Sequence, residues 1–176
     1  NRFNIKLDGI QYDKKFVFSE IGHNLEPSEI GAAFGLVQLK KLKKNIQKRV
    51  KNFNVITSFL KKYEKFFILP VQQPGTITGW LAYPITIRKN IKFTRTEMQI
   101  FLEKRDIQTR VVFTGNILRQ PGFKDIKAKK IKNGYPITDE VMKKGILIGC
   151  HHGMTEKMLS HLTNSIKNFL EFKKLI

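Results

Sequence analysis

Between positions 110 and 120 the chain carries Arg110, Asn116, Arg119 and Gln120, all side chains suited to holding an oxyanion or a hydroxylated ligand. An arginine presents a planar fork of N–H donors that matches carboxylate or phosphate oxygens in two bonds. Asn116 can hydrogen-bond a ligand or hold its own loop, because its amide both donates and accepts. The plainer readings are a surface ion pair for Arg110 and a turn for Asn116, and Arg119 and Gln120 carry the weaker signal. His151 and His152 follow an apolar run and precede a helix start. Adjacent residues on extended backbone point to opposite sides, so the pair is unlike a set of ligands to one metal and no metal site is expected there. His151 is a candidate to line a pocket, whereas His161 falls on the outer side of the last helix. The sequence holds no phosphate-cradling glycine loop, no H-E-x-x-H and no nucleophile elbow.

These residues need elements to position them. Pro27 and Ser28 open a helix that runs long, with Ile30, Ala33, Phe34, Val37 and Leu42 near a period of 3.6. Gly31, Ala32, Ala33 and Gly35 make its first half thin, which suits close packing at a domain or subunit interface. Ile46, Val50, Phe53, Ile56, Phe59 and Leu60 continue the stripe to about Tyr63, with a bend expected near Leu39 to Lys44. A short strand is expected at Lys15 to Phe18, and others at Leu81–Ile87, Gln108–Phe113 and Gly145–Gly149. Helices are expected at Thr94–Arg105, where Thr94 and Glu97 have capping-box spacing, at Ile137–Lys143, and from the cap Thr155 to about Phe172. Thr114 to Gly134 reads as loop with a lysine cluster. The sequence therefore predicts an α+β fold, a small three-stranded sheet covered by helices and preceded by a long helix.

The 176 residues carry a net charge of +19, which raises the question of nucleic acid. The basic residues are 26 lysines and only 7 arginines, mostly at solvent-facing helical spacing, so nucleic-acid binding is not the favoured reading. Cys150 is the single cysteine and can form neither an internal disulfide nor a cysteine-rich zinc site. No run approaches the length of apolar sequence that spans a bilayer. The chain opens at Asn1 rather than Met, and an upstream segment is expected.

Three segments carry a resemblance. Gly22-His23-Asn24-Leu25-Glu26-Pro27 and Ala32-Ala33-Phe34-Gly35-Leu36-Val37-Gln38-Leu39 look like a G-Y-N segment followed by an A-A-x-G-L-x-Q-L helix. Thr109-Arg110-Val111-Val112-Phe113-Thr114-Gly115-Asn116-Ile117-Leu118-Arg119-Gln120-Pro121 is similar to T-R-x-x-F-x-G-N-x-x-R-Q-P. Gly149 to Glu156 resembles a last strand and the start of a final helix. Together they resemble the DegT/StrS family of sugar aminotransferases and dehydrases, which has the aspartate-aminotransferase fold. The middle segment resembles the branch that removes the C-3 hydroxyl of CDP- or GDP-linked 4-keto-6-deoxyhexoses.

The resemblance implies a C-terminal part of a PLP- or PMP-dependent enzyme, with residues 1–26 continuing from a large domain, 27–66 a long interdomain helix and 67–176 a small α+β domain. It implies that Asn24 reaches the cofactor phosphate across a homodimer with a shared active site. It further implies that Arg110, Asn116, Arg119 and His151 face a nucleotide-linked deoxyhexose. His23 replaces the usual tyrosine and is expected to pack. No segment matches the cofactor lysine, the histidine that replaces it, or the aspartate on the pyridine nitrogen, so the fragment alone is expected to be inactive. An iron–sulfur cluster is possible upstream but not in this chain. The remaining expectations are a cytoplasmic protein of lipopolysaccharide or deoxysugar synthesis. A nucleotide-sugar aminotransferase of the same family and a non-catalytic basic binding module are the alternatives.

Overall fold

The computed structural model describes residues 5–7, 9–12, 17, 20–23, 25–123, 125–129 and 131–176, and the chain divides into units of residues 1–39 and 40–176. Within the first unit, β1 (Ile5–Leu7) pairs antiparallel with β2 (Ile10–Tyr12), and Gly9 at φ +84° makes the turn that a side chain would strain. Three of the four residues of the expected strand Lys15–Phe18 lie outside the described residues.

The long helix α1 (Glu29–Lys61) is continuous, with unbroken helical assignment through Leu39 to Lys44. Its two halves differ in what they bury. In the first, Ile30 is 84% exposed, and Phe34, Leu36, Val37 and Leu39 are exposed too. In the second, Phe53, Ile56 and Leu60 are buried at the spacing the sequence predicts.

The second unit is built on an antiparallel sheet of four strands, in the order β3 (Phe67–Ile68), β4 (Ala82–Ile87), β6 (Gly145–Gly149), β5 (Thr109–Val111). The expected three strands are present. The fourth, β3, is two residues long and too short to show a period, and it forms because Phe67 and Ile68 pair with Ile87 and Thr86. Tyr83, Ile85 and Ile87 alternate with half-exposed neighbours, so one sheet face is apolar. Onto it pack α1, α2 (Arg95–Glu103) through Met98 and Leu102, and α4 (Glu156–Phe172) through Leu159, Leu162, Ile166, Phe169 and Leu170. Each large side chain so buried contributes about 1.5–3 kcal/mol. Trp80, just before β4, stacks on Phe53 of α1 at 4.1 Å between ring centroids and 12° between planes.

Local signals fix the ends of these helices. Thr94 and Glu97 form both bonds of a capping box at α2, and Thr155 Oγ1 accepts from the Met158 N–H at α4. The helix α3 (Pro136–Lys144) begins with proline and ends in two lysines, which suits the polarity of its peptide dipoles. Among the described residues no helix is long and apolar enough to cross a membrane.

Candidate functional site

The strand register separates the candidate residues. Arg110 stands opposite Leu147, and Val111 opposite Ile146, so β5 leaves the sheet beside the start of β6. Asn116 and Arg119 lie beyond that end. His151 lies beyond the end of β6, at the opposite edge of the same strand pair. Asn24 lies outside the described residues.

Arg110 is exposed on β5, and its neighbour Thr109 points into the core. The Gln108 amide oxygen, turned toward the guanidinium, accepts from Nη1 at 3.2 Å and Nη2 at 2.8 Å. Glu103, at the end of α2, accepts from Thr109 N at 2.6 Å and Thr109 Oγ1 at 2.8 Å. Those two donors, with the charge of Arg110, hold the Glu103 carboxyl below its usual range. The bonds to Gln108, with one from Nη1 to the Thr109 carbonyl at 3.1 Å, hold one edge of the Arg110 fork at the surface, where its remaining N–H groups can meet a phosphate or carboxylate.

Asn116 and Arg119 converge on a residue the motif does not contain. Asp139, in the first turn of α3, accepts from Asn116 Nδ2 at 2.8 Å and Arg119 Nε at 2.6 Å on Oδ1, and from Arg119 Nη2 at 2.6 Å on Oδ2. Asn116 is 7% exposed, and its Oδ1 accepts from the Leu118 N–H at 3.1 Å. The Arg119 guanidinium, followed by the Asn116 amide, lowers the Asp139 carboxyl to about 2. Gln120 Nε2 donates to the Thr114 carbonyl at 2.9 Å. The polar groups of Asn116 and Arg119 are thus engaged within the protein, and the segment 112–120 is clamped to α3. Asp139 is not among the residues that the sequence motifs single out. Its partners lie about twenty residues back along the chain, beyond the reach of any local spacing rule.

His151 and His152 take separate paths, and the chain turns between them and Met154, whose N–H donates to the His151 carbonyl at 3.2 Å. His151 Nδ1 accepts from the Gly153 N–H at 3.2 Å, and its carbonyl accepts from Asn52 Nδ2 of α1 at 2.8 Å. Its ring lines an open cleft of about 440 Å³ with a floor of Ile107, Ile148 and Leu162 and a rim of Asp106, Lys157 and His161. His161 Nε2 lies 2.8 Å from the Arg105 carbonyl oxygen. His152 instead faces Arg49 of α1, with the guanidinium Nη2 3.3 Å from its Nδ1. Cys150, between strand and histidines, is fully buried, and burial pushes its thiol up to about 11. Among the described residues no three His, Cys, Asp or Glu side chains converge to hold a metal ion.

The fold is shared with solved structures of PLP-dependent enzymes. The structure of the E. coli GDP-4-keto-6-deoxy-D-mannose-3-dehydratase with bound hydrated PLP superposes with a TM-score of 0.74 and 24% identity, over 86% of this chain and 38% of that one. The chain belongs to the DegT/DnrJ/EryC1/StrS aminotransferase family, whose sequence pattern matches residues 3–167. It is 30% identical over 170 residues to the lipopolysaccharide biosynthesis protein RfbH of Salmonella typhimurium, covering 96% of this chain and 39% of that protein. It is 33% identical over 159 residues to the dTDP-4-dehydro-2,6-dideoxy-D-glucose 3-dehydratase of Saccharopolyspora spinosa, covering 90% and 34%. A sugar transaminase of E. coli is also among its relatives. The chain spans 34–39% of the length of these curated relatives.

The described residues do not by themselves fit PLP. In the cleft Lys157 and Asp106 are exposed on the rim above a largely aliphatic floor.

Proposed function

We propose that this chain is the C-terminal part of a PLP- or PMP-dependent nucleotide-sugar C-3 dehydratase acting on a 4-keto-6-deoxyhexose in lipopolysaccharide or deoxysugar biosynthesis. The observation that carries the reading is the segment Thr109–Pro121, a close match to the dehydrase-branch pattern that stands at the end of β5 with Arg110 at the surface. The 33% identity to a sugar 3-dehydratase agrees with it. The cofactor supplies an electron sink and is held by other parts of the enzyme. This chain's contribution is to bind and orient. Arg110 meets the substrate diphosphate, and Asn24 reaches the cofactor phosphate of the second subunit in a cytoplasmic homodimer. The bare apolar half of α1, from Ile30 to Leu39, supports packing against the rest of the enzyme or the second subunit.

The second reading, a nucleotide-sugar aminotransferase, is favoured by the transaminase among the relatives. Incubating the full-length protein with a GDP- or CDP-linked 4-keto-6-deoxyhexose and an amino donor separates the two by mass. Loss of the C-3 oxygen supports the dehydratase, and gain of an amino group supports the aminotransferase. Neither change would remove both. A basic binding module would instead bind DNA or RNA with a steep salt dependence.

A further inference from the structure

The clamp at Asp139 has an unusual neighbour. Phe113 sits in the left-handed backbone region at φ +45°, and its ring is 83% exposed. A bulky L-residue is crowded there, and an exposed ring gains nothing from burial in return. Strain of this kind persists only where the surroundings over-determine it, and it concentrates at ligand-contacting segments.

The surroundings here are all anchored on α3. Gly115 N–H donates to the Val112 carbonyl at 3.0 Å and closes a turn around Phe113. Gly115 itself, at φ +63°, lies so close to Met142 that a Cβ would meet its Cγ at 2.4 Å. The Asn116 N–H points to the Met142 sulfur at 3.4 Å. Asn116 and Arg119 then close the segment on both carboxylate oxygens of Asp139.

We infer that Asp139 is the positioning residue of segment 112–120, and that the segment's task is to present Phe113 as an apolar platform for the carbon-bearing face of the hexose. This deepens the nucleotide-sugar reading and rests on it. Arg110, three residues earlier, supplies the cation for the diphosphate, and Phe113 supplies the flat apolar surface that a deoxygenated ring can cover. Asn116 and Arg119 are positioning residues too, since the Asn116 amide nitrogen and the Arg119 Nε and Nη2 are held by Asp139.

The test uses the full-length enzyme with Asp139→Asn, Asp139→Glu, Phe113→Ala and Phe113→Tyr. Amide hydrogen exchange in the substrate-free protein needs no assumption about the reaction. Asp139→Asn should speed exchange at Gly115 and Leu118 at least about tenfold, and Asp139→Glu should speed it less. Phe113→Ala and Asp139→Asn should raise KM for the nucleotide sugar about tenfold with little loss of kcat, and Phe113→Tyr should restore it. Unchanged exchange in Asp139→Asn overturns the positioning role. Unchanged KM in Phe113→Ala overturns the platform. A wild-type enzyme that accepts no nucleotide sugar overturns the functional reading and the platform together, while the exchange data still decide Asp139.

Discussion

The side-chain amide of Asn52 donates to the backbone carbonyl of His151 at 2.8 Å, so the long helix holds the chain where it leaves the last strand. Asn52 is 5% exposed, and its neighbours Phe53 and Ile56 belong to the core. The His151 carbonyl also accepts from the Met154 N–H at 3.2 Å, so losing the amide removes one of its two donors, a bond worth about 0.5–1.5 kcal/mol net. Asn52→Ala should lower the urea midpoint by a corresponding amount without changing the slope. An unmoved midpoint would mean that the Met154 N–H alone satisfies the His151 carbonyl.

Glu97 gives the fold a measurable acid sensitivity. The Lys173 ammonium, and then the two Thr94 donors, lower its carboxyl from 4.5 to about 2. A carboxylate depressed on folding stabilises fully above its unfolded value, and that contribution fades as pH falls through the folded one. Stability should therefore fall between pH 4.5 and about 2, the window set by this shift. Glu97→Gln, which keeps an acceptor and loses the charge, should flatten that part of the melting-temperature profile. An identical profile in the variant would rule Glu97 out as a source.

Cys150 should be silent in the native protein. The thiol is buried and raised to about 11, with its sulfur 3.7 Å from the Arg49 carbonyl oxygen. Since the thiolate is the reacting form, labelling by a disulfide reagent near neutral pH should be at least about a hundredfold slower than in the unfolded chain. Rapid labelling under native conditions would show that the β6 exit opens readily.

Gly115→Ala tests the approach of the loop to α3. Its positive φ and the 2.4 Å meeting with Met142 Cγ penalise any side chain. The substitution should cost about 1–3 kcal/mol from crowding alone. Met142→Ala added to Gly115→Ala should recover part of the crowding but none of the backbone cost. Full additivity of the two single effects would place the strain elsewhere.

The parts of the fold that could be read from the sequence are those with their own local cause. Thr94 and Glu97 are three residues apart and make the cap their spacing predicts, and of the stripe expected on the final helix, Met158, Leu162, Ile166 and Phe169 or Leu170, all are buried except Met158, which is 46% exposed in the first turn. β3 escaped because two residues have no period and pair only through a distant strand. The first half of α1 has a core-like stripe, yet Ile30, Phe34 and Val37 are exposed, because periodicity tells which side is apolar and not what lies against it. The motif put Asn116 and Arg119 forward as substrate contacts, and the structure shows both side chains bonded within the protein. What engages them is Asp139, and that carboxylate arrives through the packing of α3 rather than through neighbourhood in the chain.

The stacking of Trp80 on Phe53 has a practical corollary. Trp80 is the sole indole of the chain, so near-ultraviolet excitation at the red edge addresses one place, the seam where the long helix meets the strand layer. Its emission becomes an intrinsic gauge of that seam, readable without dye or label, and it reports loosening of the helix separately from events at the far end of the sheet.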